Sequence, residues 1–227
     1  MMSEDWKKAE KALSYIEVNG NANNDPVTIS GQTEGLHCIG IGTDAAVFSY
    51  EPEPGYAFKV YSPHAVEKLQ AERSVYERLA GSPYHPQYYG YGSNYLVISF
   101  ERGITLHDCL VHGVPVPEQV IKDVEDAKKL VIARGLNPRD IHLKNVLMQD
   151  GRAKVIDVSE YIKEGNDHRW DHLVWAYNNF YGHLEGVKIP SWALATIRKW
   201  YNRADQANFS LEEFSQRVSQ LFKWTGK

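Results

Sequence analysis

Residues 137–161 read NPRDIHLKNVLMQDGRAKVIDVSEY. Asp140 stands five positions ahead of Asn145, and Asp157 closes an apolar run. Between Asn145 and Asp157 lie two short apolar runs joined by Asp150-Gly151, the residue pair that favours a tight hairpin turn. A hairpin that opens at Asn145 and closes at Asp157 brings these two side chains to one end. Hard cations such as Mg²⁺ take carboxylate and carboxamide oxygens and complete their shell with phosphate and water. The spacing is that of a candidate magnesium-nucleotide site. Asp140, in the loop before, can accept a proton from an attacking hydroxyl. Taken singly, each of the three is more simply a turn or capping residue.

The sequence on either side of this stretch changes character. Residues 4–18 have Trp6, Leu13 and Ile16 at helical spacing, which predicts a helix that ends at the turn formers NGNANNDP. Runs rich in β-branched and aromatic residues at 36–42, 45–51, 56–62 and 94–101 predict strands. One helix, 63–80, interrupts them, with Pro63 at its start and Gly81 at its end, and the segment GSPYHPQYYGYG reads as loop. Downstream the chain turns helical. The stretch 117–135 carries Val120, Val124, Ala127 and Val131 on one face, and 169–183, 191–204 and 210–224 predict three more helices. Ser210 followed by Glu213 is a capping-box pattern. Trp192, Trp200 and Trp224 are most simply core or packing residues.

Bulk properties narrow the function classes. The composition, 43% hydrophobic and 24% charged over 227 residues, is that of a globular chain with a real core. A net charge of −4 offers no basic surface for nucleic acid. Cys38 and Cys109 form no metal-type pair and are expected to be reduced thiols. The charged N-terminus has no secretory h-region, and no apolar run reaches membrane-spanning length, so the expected location is the cytoplasm with no membrane partner.

Two more features bear on chemistry. In IGIGTDAAV, Gly40 and Gly42 lie between two predicted strands, with Val47 beyond. A turn with little side-chain bulk lets backbone N–H groups approach phosphate oxygens, although most Gly-X-Gly hairpins are plain turns. Lys59, inside the apolar strand YAFKVY, either reaches water or meets a buried anion. Glu67, Glu72 and Glu77 on the following helix are its candidate partners.

The order of parts is Gly-rich hairpin, strand lysine, helix glutamate, apolar strand, long helix, Asp-x4-Asn loop, hairpin and Asp. It resembles the protein kinase-like family, and more narrowly small bacterial Ser/Thr-kinase-like proteins, over residues 36 to 180. The resemblance implies an α+β, bilobal protein-kinase-like fold: a helical extension (1–30), a small antiparallel β-sheet lobe with one helix (31–100) and a larger, mostly helical lobe (101–227). It implies ATP and Mg²⁺, with Mn²⁺ as an alternative, and a hydroxyl acceptor on a protein. Gly40, Gly42 and Val47 would cover the phosphates, with Ala45 in the place of a third glycine. Lys59 would hold the α- and β-phosphates, and the family pattern selects Glu72 as its partner. Ile98 would be the gatekeeper, backbone groups near Ser99 and Glu101 would meet adenine, and Ala57 and Leu147 would sandwich it. Asp140 would be the base, Asn145 and Asp157 the metal ligands, and Asp171 the brace of the catalytic loop.

The chain departs from the family pattern at Pro138, which replaces a histidine, and at Val158-Ser159, which replace Phe-Gly. His142 stands where Ser/Thr kinases place a lysine and is similar to small-molecule phosphotransferases. The segment between Asp157 and Asp171 is short and lacks Ala-Pro-Glu, so activation by its phosphorylation, with Arg139 as receiver, is not expected. Lys144 or His142 could contact the γ-phosphate. Two alternatives to a protein kinase follow: a kinase for a small hydroxylated acceptor, and a nucleotide-binding pseudokinase that serves as an interaction module.

Overall fold

The computed structural model describes residues 4–204 and 209–224. A 3₁₀ turn, Asp5–Ala9, runs into a one-turn helix, α1 (Glu10–Leu13), and then a hairpin of β1 (Glu17–Asn19) and β2 (Thr28–Ser30). The helix expected over 4–18 therefore stops at Leu13. Val18 is β-branched and packs better on a pleated surface, and Glu17–Asn19 find strand partners in Thr28–Ser30.

Five strands follow: β3 (Leu36–Ile41), β4 (Ala45–Tyr50), β5 (Tyr56–Tyr61), β6 (Tyr88–Tyr91) and β7 (Tyr95–Ser99). They form one antiparallel sheet in the order β3-β4-β5-β7-β6. Side-chain alternation splits its faces. Ala46, Phe48, Phe58, Val60, Tyr95 and Val97 point to one side, where Trp6, Ala9, Leu13, Val18 and Val27 cover them. The N-terminal segment is thus the missing layer over the outer face. A Cβ at Gly90 would meet the Trp6 ring at 2.7 Å, so this layer depends on glycine there. Ala45, Ala57, Tyr61, Leu96 and Ile98 point to the other side, onto α2 (Val66–Arg78). The edge strand β6 lies in a segment that the sequence reads as loop. Pro and Gly mask the strand signal of its tyrosines, and pairing with β7 decides the outcome.

The second lobe starts with β8 (Ile104–Thr105) and α3 (Leu106–His112), short elements that carry too little periodicity to read from sequence. The Thr105 hydroxyl caps α3, accepting from the Asp108 N–H at 3.0 Å. Helix α4 (Glu118–Ala133) buries Val120, Val124, Ala127 and Val131 as its periodicity predicts. It also buries Asp123, which accepts from Arg152 Nε and Nη2 at 2.7 and 2.9 Å and from the Ala153 N–H at 2.9 Å. That carboxylate welds α4 to the hairpin of β9 (Val146–Gln149) and β10 (Arg152–Val155). Asp150 and Gly151 turn the hairpin with φ of 50° and 73°, as a type I′ turn requires.

Helices α5 (Arg169–Phe180), α6 (Ser191–Arg203) and α7 (Leu211–Trp224) complete the lobe. Ser210 caps α7 by accepting from the Glu213 N–H at 3.3 Å. Trp192 is not a core residue: it is 52% exposed, and the apolar face of α6 is carried by other residues, including the buried Ala193. Trp200 is half-buried under the Arg217 guanidinium, and the Trp224 side chain lies outside the described residues. No helix among the described residues is long and apolar enough to cross a membrane. Cys38 and Cys109 are both free thiols.

The lobes meet behind the sheet. Arg78 Nη2 at the end of α2 donates to the Arg134 and Gly135 carbonyls at 2.7 and 2.5 Å, and Arg134 Nη1 returns a bond to the Arg78 carbonyl. Gly135 has φ of +68°, and a Cβ there would stand 2.9 Å from the Arg78 guanidinium. In the same region His85 is 1% exposed, bonded to Ser82 Oγ at 2.8 Å and edge-on to Tyr161. Burial, with Lys154 nearby, pushes its imidazole down to about 4. A folded-state value below the unfolded one favours the native state at neutral pH, and this contribution fades as pH falls from about 6.5 to about 4. It amounts to about 3 kcal/mol. Urea unfolding at a series of pH values is expected to show this acid loss in the native protein and a much flatter profile in His85→Gln.

Candidate active site

The site assembles on the inner face of the sheet. Lys59 lies in the middle of β5, in register with Val47 and Leu96, on the face that carries Ala57 and Tyr61. Its ammonium donates to both Glu72 oxygens at 2.7 and 2.8 Å and lies 3.4 Å from Asp157 Oδ1. Glu72 is 1% exposed and sits within the buried stripe of α2, between Leu69 and Val75-Tyr76. Tyr61, two residues beyond Lys59, donates its hydroxyl to Glu72 Oε2 at 2.6 Å. Burial opposes a charge on Lys59, but Asp157 and Glu72 outweigh it and hold the ammonium well above the ordinary lysine range.

Asp157 follows β10. Burial would raise its carboxyl, but Lys59 and the Ser159 N–H, which donates at 3.1 Å, hold it below the usual carboxylate range. Asn145 is 5% exposed and donates Nδ2 to the Asp140 carbonyl at 2.7 Å. That bond occupies the amide nitrogen and leaves the carboxamide oxygen as an acceptor. Asp157 and Asn145 therefore present hard oxygens at one end of the β9–β10 hairpin. No cluster of three or more His, Cys, Asp or Glu residues suited to a metal occurs among the described residues. This donor set suits a divalent cation that completes its shell with phosphate and water.

Asp140 occupies the left-handed region at φ 54°, a strained setting for a non-glycine residue. Two interactions hold it there. Its N–H donates to Asp167 Oδ2 at 2.7 Å, and its Oδ1 accepts from Arg169 Nη1 at 2.7 Å. Burial raises its carboxyl to about 6 against the pull of Arg169, with Asp157 and Asp167 adding to the rise. His142 Nε2 stands 3.9 Å from Asp140 Oδ2, and burial, with Arg169 and Arg198, keeps this imidazole neutral, at about 4.

The brace of the loop is not the residue the resemblance names. Asp171 accepts from Lys128 Nζ at 2.5 Å and from His168 and Asn166 at 3.3 and 3.4 Å, so it ties α5 to α4. Asp167, at the entrance to α5, makes the contact with Asp140 instead. Both aspartates flank Trp170, and spacing alone does not separate them. Arg139 donates to the Glu164 and Gly165 carbonyls, and Asn137 donates to the carbonyls of Lys163 and Gly165. Arg139 is thereby engaged with the backbone of the short segment after Asp157.

The remaining sequence candidates fall in two places, on the five-stranded sheet and beside Glu101 in the second lobe. Gly40 and Val47 are partners across β3 and β4, and the Gly42 N–H closes the intervening turn on the Ala45 carbonyl at 2.9 Å. The Gly42 carbonyl accepts from the Val27 N–H, which ties the turn to the N-terminal layer. Ala57 and Ile98 are partners across β5 and β7, and both are buried. Ser99 donates its hydroxyl to Glu101, which also pairs with Lys154 at 3.0 Å. Leu147, in register with Thr105 and Lys154, lies beside Glu101 at a cavity of about 260 Å³. A larger cavity, about 930 Å³, opens beside His142 and Arg169 and extends between α5, α6 and α7. Tyr61, Asp167 and Arg169 are the site residues that the sequence reading lacks. For Tyr61 the signal was present, since strand alternation puts it on the same face as Lys59.

No family model matches the chain. A Bacillus subtilis (strain 168) protein named "Putative serine/threonine-protein kinase YrzF" is 32% identical over 213 residues, covering 92% of this chain and 96% of that protein. The chain belongs to the protein kinase-like family. Its bilobal α+β architecture is that of a small kinase-like fold. Membership carries with it kinase-like phosphotransfer, with ATP and a divalent metal in general terms.

Two outcomes follow from this geometry. Asp167→Ala is expected to lower kcat by about 10²-fold, since it releases the loop that holds Asp140. Asp171→Ala should leave kcat nearly unchanged and lower only the melting temperature; steady-state kinetics beside thermal unfolding separates the two. Lys59→Met should cost about 3–5 kcal/mol of stability, because it strands a buried carboxylate. Lys59→Met/Glu72→Leu is expected to recover much of that stability in urea titrations without recovering turnover.

Proposed function

We propose that the chain transfers the γ-phosphate of ATP to a Ser or Thr hydroxyl of a protein, with its own chain among the acceptors to be tested. The observation that carries this reading is the convergence of Lys59, Glu72 and Asp157 across the two lobes, with Glu72 and Lys59 already paired. The name of the Bacillus relative supports it.

Phosphoryl transfer asks little covalent chemistry of a protein and much positioning and charge neutralisation. Asp157 and Asn145 are the residues that would hold Mg²⁺ or Mn²⁺, which supplies charge neutralisation at the phosphates when bound. Lys59, kept in place by Glu72 and Tyr61, offsets α- and β-phosphate charge. Gly40, Gly42 and Val47 cover the phosphates from above. Ala57, Ile98 and Leu147 flank adenine, and backbone groups at Ser99 and Glu101 meet its edge. Asp140 orients the acceptor hydroxyl and takes its proton. Arg169 holds Asp140 in the resting site, so acceptor entry has to loosen that pair before Oδ1 is available.

A second reading, a kinase for a small hydroxylated molecule, is favoured by one observation. The 930 Å³ cavity beside His142 falls within the size range of small-molecule sites.

Radiolabelled γ-phosphate transfer from ATP with Mg²⁺ or Mn²⁺, with and without a generic protein acceptor, tests the proposal. Label on protein that disappears in Asp140→Asn is the expected result. ATP consumption that responds only to a small hydroxylated acceptor would replace it with the second reading.

A further inference from the structure

The cavity that begins at the catalytic loop has an unusual charge. Lys144, Arg169, Arg198, Lys199 and Arg203 line it, and no Asp or Glu lines it among the described residues. The chain as a whole has 29 acidic residues against 25 basic ones, so composition does not produce such a lining. Arg169 is paired with Asp140, but Lys144, Arg198, Lys199 and Arg203 make no salt bridge among the described residues. Cations elsewhere on the surface are commonly paired, as Lys68 is with Asp44 and Lys163 with Glu160. Between the cations the walls are apolar, with Trp175, Phe180, Leu194, Ile197, Phe214 and Val218 facing the space.

We propose that this cavity selects an acidic acceptor: a peptide segment whose Ser or Thr is flanked by several Asp or Glu residues and by an apolar residue that enters the cavity. The proposal rests on the protein-acceptor reading above. Three features of the site specify it. Lys144 and Arg169 stand at the catalytic end, beside His142 and Asp140. Arg198, Lys199 and Arg203 follow in series along α6, spread over about 7.5 Å of helix at about 1.5 Å per residue. A single compact anion can engage one end of that series, whereas acidic residues spaced along a chain can engage all of it. Electrostatic complementarity of this kind acts chiefly on specificity and encounter. The apolar walls supply the burial that charge alone does not. A carboxylate from the acceptor also competes with Asp140 for the Arg169 guanidinium, so an acidic neighbour would help to free the base as the hydroxyl arrives.

The test is a matched set of Ser and Thr peptides with the same Leu or Phe neighbour and with acidic, neutral or basic flanks. Transfer of labelled γ-phosphate is measured for the wild-type chain and for Arg198→Glu/Lys199→Glu. The wild-type chain is expected to favour acidic over neutral flanks by about tenfold or more in kcat/KM, expressed mainly in KM and weakened by salt. The double variant should favour basic flanks and keep the wild-type KM for ATP and melting temperature. Equal use of all flanks, or an acidic preference that survives the charge reversal, overturns the proposal while leaving the protein-acceptor reading intact. If no peptide accepts label and only small hydroxylated molecules drive ATP consumption, the protein-acceptor reading itself falls, and the proposal falls with it.

Discussion

The ion pair between Lys59 and Glu72 is the constraint around which the small lobe is built. A carboxylate with 1% exposure is stable in its place only if it is matched by charge and hydrogen bonds. Lys59 supplies two bonds and Tyr61 a third. This requirement fixes the rotation of α2 about its axis, since Glu72 has to fall within the stripe that faces the sheet. It also fixes the register of β5, since a slip of one residue would send Lys59 to the outer face, under the N-terminal layer, and turn Phe58 and Val60 inward. The approach of Asp157 to the same ammonium then ties the second lobe to the first.

Several contacts outside the site keep α2 in the position that this pair needs. The reciprocal bonds of Arg78 and Arg134 clasp its end to the end of α4. The N-terminal layer closes the outer face of the sheet with Trp6, Leu13 and Val18, so the strand that carries Lys59 is buried on both sides over much of its length. Asp140 is held differently, by a strained backbone, the Asp167 carboxylate and the Arg169 guanidinium. Backbone strain of this kind clusters at functional sites, where surrounding contacts over-determine it.

The acceptor side is where this chain differs most from the general kinase pattern. The segment after Asp157 is short and its backbone carbonyls are occupied by Asn137 and Arg139. The surface proposed above for the acceptor is instead the cavity framed by α5, α6 and α7, whose lining is apolar and cationic. In this respect the replacement of the usual lysine by His142 is understandable. Arg169 and Arg198 already supply positive charge there, and a neutral imidazole avoids adding a further like charge.

Local pattern determined much of this protein. β-Branched and aromatic content marked β3, β4, β5 and β7; Pro63 and Gly81 bracketed α2; the 3.6-residue period marked α4; Asp150-Gly151 marked the hairpin that carries Asn145 and Asp157. These features depend on neighbours a few residues away, and a sequence displays them directly. Spacing left Glu67, Glu72 and Glu77 open as partners of Lys59; the family pattern selected Glu72, and the folded helix buries it between Leu69 and Tyr76. Tertiary structure alone decided the rest. The segment at 14–19 ends as a strand because a sheet face needed covering, and β6 exists because β7 offered it an edge. Trp192 faces outward because another face of α6 packs inward. Asp167 rather than Asp171 reaches the Asp140 N–H, and Arg169 reaches its carboxylate, because the left-handed turn at His168 aims the entrance of α5 at the loop. The charged groups that line the cavity, all cationic among the described residues, are drawn from the catalytic loop and two helices, residues distant in sequence that only the folded chain brings onto one surface.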